Sequence, residues 1–98
     1  MGANNPKMRM VLDFSDATGC RLSVACNALA ANGWSLNQAL SAYEALPPGA
    51  NIARLRGNLT NEQCKIARVV AFCDIPEAQA RELLVANNRS IFRSILAG

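Results

Sequence analysis

The side chains best suited to chemistry in this 98-residue chain are four cysteines, Cys20, Cys26, Cys64 and Cys73. No two of them form a Cys-x-x-Cys pair, so neither a zinc knuckle nor a dithiol redox site is spelled out. Histidine is absent, which removes the commonest general base and the commonest metal ligand. A cysteine or serine nucleophile would have to rely on a carboxylate or a lysine. An enzyme is therefore not expected, and neither a cofactor, a metal nor a small-molecule substrate is called for. The cysteines read as reduced, partly buried thiols.

The formal charge is +3, with eight arginines (9, 21, 54, 56, 68, 81, 89 and 93) spread along the chain instead of gathered in a block. Arg89 and Arg93 fall on one face of a short C-terminal helix, but two arginines are too few for a nucleic-acid footprint, and no such partner is expected. No apolar run approaches the roughly 20 residues of a membrane span, and Met1 to Met10 lacks the apolar stretch of a secretory signal. A soluble, intracellular protein of the cytoplasm or nucleus is the expectation, without a membrane partner.

The elements that carry these residues read as helices. Half the chain is hydrophobic (51%) but only 5% is aromatic, so the core must come from Ala, Leu, Val and Ile, which pack small helical bundles. Met1 to Lys7, with Gly2, Asn4, Asn5 and Pro6, reads as a loose terminus. Pro47-Pro48-Gly49 cannot continue a helix and divides the sequence. In the first half Met10, Val11 and Phe14 recur at helical spacing up to Gly19, and Leu22, Cys26 and Leu29 do so up to Asn32-Gly33. Ser35 and Gln38 form a capping-box pattern ahead of Leu36, Leu40 and Tyr43. The stretch 47–59 is expected to be an ordered connector, with Ile52 and Leu55 packing back and Arg54 and Arg56 solvated.

The second half repeats the grammar. Thr60 and Gln63 form another capping box before Ile66, Val69, Val70 and Cys73. Pro76 suits the first turn of a helix holding Ala80, Leu83 and Leu84 up to Asn87-Asn88. Ser90 is placed to cap a last helix with Ile91, Ile95 and Leu96. A shift of 55 positions pairs Val11 with Ile66, Phe14 with Val69, Leu29 with Leu84, Asn32 with Asn87 and Ser35 with Ser90. Strict identities are few (Ala25, Leu29, Ala31, Asn32, Ser35 and Ala42), so the matched apolar and capping positions carry the register.

Phe14, Thr18-Gly19, Ala25, Leu29, Asn32-Gly33-Trp34-Ser35, Ala39-Leu40 and Tyr43-Glu44 together resemble the ubiquitin-associated (UBA-like) superfamily. The closest branch is that of the TAP-C domain of mRNA export receptors and of the amino termini of Cezanne-type deubiquitinases. The second half is similar to CUE and UBA domains, with Asp74-Ile75-Pro76 in the place of their Met-Phe-Pro turn and Ile95-Leu96 in the place of the terminal dileucine. The expected fold is all-α: a three-helix UBA-like bundle over 8–46, a connector over 47–59, and a second three-helix UBA/CUE-like bundle over 60–98, in tandem and packed together.

The resemblance implies a protein-interaction module that binds ubiquitin or polyubiquitin through shallow apolar patches. The first patch would be Thr18, Gly19 and Cys20 with Tyr43 and Leu46; the second, Ile75 and Pro76 with Ile95 and Leu96. Cys20 stands where ubiquitin-binding UBA loops carry Phe or Tyr, and Trp34 occupies a position that packs the bundle in these families. The export-receptor branch implies an alternative, in which an apolar cleft takes Phe-Gly nucleoporin peptides or a helix of a dedicated partner.

Overall fold

Capping and turn chemistry set the helix boundaries. In the computed structural model, which describes residues 5–87, the chain forms α1 (Pro6–Thr18), α2 (Leu22–Ala31), α3 (Leu36–Glu44), a 3-10 turn (Ile52–Arg56), α4 (Asn61–Cys73) and α5 (Glu77–Ala86). Among the described residues there is no strand, so the protein is all-helical. The last helix expected in the second half, with Ser90, Ile91, Ile95 and Leu96, lies outside the described residues.

α1 starts earlier than the sequence suggested. Asn5 caps it, its side-chain oxygen accepting from the Met8 N–H at 3.1 Å, and Pro6 takes a first-turn position that needs no N–H. The expected loose terminus therefore already belongs to the helix from residue 5 onward. α1 ends where Gly19 enters the left-handed region at φ +75 and its N–H reaches Ser15 O at 2.7 Å.

α2 ends in a Schellman turn: the Trp34 N–H bonds Leu29 O at 2.7 Å and the Gly33 N–H bonds Ala30 O at 3.4 Å. Ser35 then caps α3 by accepting from the Gln38 N–H. Only this half of the expected capping box forms, because the Ser35 N–H is already spent on Asn32 O in the turn. At α4 both halves form, Thr60 with Gln63.

α4 and α5 each begin and end 55 residues after α1 and α2, and their ends match in conformation. Asp74 takes the left-handed position of Gly19, and the Asn32 and Asn87 side chains each donate back one turn, to Ala28 O at 2.7 Å and to Leu83 O at 2.8 Å.

The helices enclose two adjoining cores. Val11, Phe14, Ala25, Cys26, Leu29 and Ala39 build the first, joined by Leu55 from the connector and Ala71 from α4. Ile66, Val69, Val70, Ala80 and Leu84 build the second. The two halves are in contact: α2 packs against both the 3-10 turn and α4, and the Asn5 amide donates to Ala71 O at 2.8 Å.

This contact explains where the halves diverge in sequence. On α1 the outward positions Arg9, Leu12, Asp13 and Asp16 are exposed, whereas at the same register on α4 stand Cys64, Ala67, Arg68 and Ala71, buried or half-buried. α2 shows the converse: Cys26 is buried, while its α5 counterpart Arg81 is exposed and paired with Glu77 at 3.2 Å. The two helices at the boundary are thus apolar on a second face, and their counterparts are charged.

Candidate interaction surfaces

The expected first patch is partly consumed by its own loop. Thr18 Oγ1 donates to Phe14 O at 2.7 Å and accepts from the Cys20 N–H, and Ser15 Oγ donates to Cys20 O at 2.7 Å. Cys20 is turned inward, with 6% of its surface exposed, and belongs to the first core. Its thiol therefore offers almost no contact area, which removes Cys20 as a surface contact and leaves Gly19 exposed beside a half-buried Thr18.

Tyr43 joins this loop from the last turn of α3. Its ring meets Phe14 edge-on at 6.2 Å between centroids, and its hydroxyl donates to Thr18 O at 3.4 Å. Thr18 and Tyr43 are thus neighbours. Tyr43 and Leu46 also line a shallow hollow of about 330 Å³ with Pro47, Ala50 and Ile52. The connector residues were missed as site candidates because their signal in the sequence is a helix break.

Ile75 and Pro76 open into a different place. They line a groove of about 420 Å³ between the halves, whose walls include Ile66, Ala67 and Val70 of α4 and Ala30, Gly33 and Trp34 of the α2–α3 turn. Trp34 packs against both cores and takes φ +61, unusual for a large side chain. The hydrogen bond from its N–H to Leu29 holds it there. The Lys7 ammonium lies 5.7 Å from the centre of its ring, a cation–π contact at the mouth of the groove. Glu77 lines the groove too, with its carboxylate engaged by Arg81. Ile95 and Leu96, expected beside Ile75 and Pro76, lie outside the described residues.

Burial pushes Cys26 up to about 11, against the nearby Arg68 guanidinium, which favours the thiolate. Burial raises Cys73 as well. No disulfide joins the four cysteines. Among the described residues no cluster of three or more His, Cys, Asp or Glu side chains could hold a metal, and no helix is long and apolar enough to cross a membrane. Searches of family models, curated proteins and solved structures give no match to the chain.

Proposed function

We propose that the protein is a non-catalytic interaction module of the UBA-like kind, built from two related units, that binds ubiquitin or polyubiquitin weakly through apolar surfaces in the cytoplasm or nucleus. The observation that supports this reading is that the Tyr43 hydroxyl bonds Thr18 O while Tyr43 and Leu46 line one shallow hollow with Pro47, Ala50 and Ile52. The lack of histidine and the burial that holds the Cys26 thiol protonated support the non-catalytic reading.

A patch of this size implies a small interface, and interfaces below about 1,200 Å² are typically weak and transient. Two surfaces on one body would add effective concentration toward a linked chain of ubiquitins. Binding to immobilised monoubiquitin and diubiquitin tests this: diubiquitin should bind more tightly, and Tyr43→Ser should weaken both. Equal binding of Tyr43→Ser and the parent chain, or binding of neither form of ubiquitin, would remove ubiquitin as the partner.

A second reading is favoured by the groove between the halves. It is concave and walled by Trp34, and so suits a single inserted side chain better than a flat face does. A Phe-Gly peptide or a helix from a dedicated partner would use it in that way.

A further inference from the structure

Within the groove the charges are unequal. Glu77 is paired with Arg81 at 3.2 Å on the exposed rim, whereas Lys7 makes no ion pair among the described residues and rests its ammonium on the Trp34 ring. The walls below are apolar, from Ile66, Val70 and Ile75. The volume of about 420 Å³ lies in the size range of ligand pockets. A neutral apolar segment would leave the lysine without a counter-charge, and a basic one would meet it with repulsion.

We propose that this groove receives a short segment of a partner protein in which one large apolar side chain stands next to an acidic residue. The apolar side chain seats against the half-buried Trp34 and Ile75, over the nearly buried Ile66 and Val70, and the carboxylate pairs with Lys7. The proposal rests on the reading of the protein as an interaction module, and does not require ubiquitin to be the partner. It also separates the groove's occupant from a Phe-Gly repeat, which carries no acid.

Trp34 is the chain's single tryptophan, so its emission reports directly on the groove. The probe is a synthetic ten-residue peptide with one Phe flanked by two Asp, titrated into the full 98-residue chain. Its controls are the same peptide with both Asp replaced by Asn, the same peptide with Phe replaced by Ala, and a Phe-Gly repeat peptide. The acidic peptide should change Trp34 emission saturably and the Ala control should not. The Asn control, and the acidic peptide against Lys7→Gln, should bind about threefold to fivefold more weakly, the size expected of one partly exposed ion pair. Added salt should shrink that difference. Ile75→Ser, with its fold checked by circular dichroism, should lose the response.

Absence of a saturable change with the acidic peptide, or equal affinity for the Asp and Asn peptides, overturns the proposal. So does full binding to Lys7→Gln. Monoubiquitin titrated in parallel keeps the two readings apart. Amide shifts at Tyr43 and Leu46 with monoubiquitin, together with no Trp34 response to the acidic peptide, sink the acidic-peptide assignment and leave the module standing, while silence toward every probe removes both.

Discussion

Gly19 and Asp74 occupy equivalent places at the ends of α1 and α4, both with positive φ, and only one is a residue suited to it. Gly19→Ala has open space around its new Cβ, so its cost is conformational, about 1 kcal/mol. Asp74→Gly should conversely stabilise the protein by up to about 1 kcal/mol, since it relieves a non-glycine left-handed residue. Urea unfolding of both variants checks the pair, and a destabilised Asp74→Gly would show that the aspartate side chain contributes more than its backbone costs. Cys26 gives a second prediction at this scale. Its folded pKa is raised by burial, so the neutral thiol's contribution to stability is complete below about pH 9 and is lost as pH rises toward about 11. Unfolding midpoints measured between pH 8 and 11 should fall in that window, and Cys26→Ala should flatten the fall. The resemblance to UBA-like domains made Cys20 a surface candidate, as part of the loop patch with Thr18 and Gly19. What sequence could not show is that Ser15 and Thr18 satisfy the loop's polar groups and rotate the thiol into the core.

Helix ends were the most legible elements, because capping is local. Thr60 with Gln63, Asn32-Gly33 and the break at Pro47 all mark observed boundaries. Asn5 was not legible, since its second role is long-range: its oxygen caps α1 while its amide donates to Ala71 O near the end of α4, 66 residues away. Asn5→Ala should cost about 1–2 kcal/mol, more than a cap alone at the lower end of that range. Asn5→Asp separates the two roles. It keeps a good cap but sets a carboxylate against a carbonyl, so it should also destabilise, whereas a purely local cap would tolerate it. Thr60→Ala, which loses only the capping box, should cost about 1 kcal/mol in the same unfolding assay. Leu55 shows what the connector does: it is buried in the first core, so the 3-10 turn is part of the packing and not a tether.

For the molecule as a whole, the 55-residue register predicted which positions are apolar but not which of them face the other half. That information lies in the differences between the two halves: Cys64, Ala67 and Ala71 on α4, where α1 has Arg9, Leu12 and Asp16. With Trp34 packed on both cores, unfolding should be one transition. Leu84→Ala, deep in the second core, should cost about 3 kcal/mol and shift Trp34 emission and far-ultraviolet circular dichroism together. Separate midpoints for the two signals would mean that the halves melt independently. The groove was legible only in fragments, since Lys7, Trp34 and Ile75 are far apart in sequence and converge through the packing of α2 on α4. The central claim is that these surfaces bind protein partners, ubiquitin foremost, and an amide-shift titration of the labelled chain with monoubiquitin tests it most directly. The account predicts saturable shifts at Gly19, Tyr43, Leu46 and Ile52, with residues of the far face of α5 unmoved; a spectrum that stays unchanged at saturating ubiquitin would contradict it.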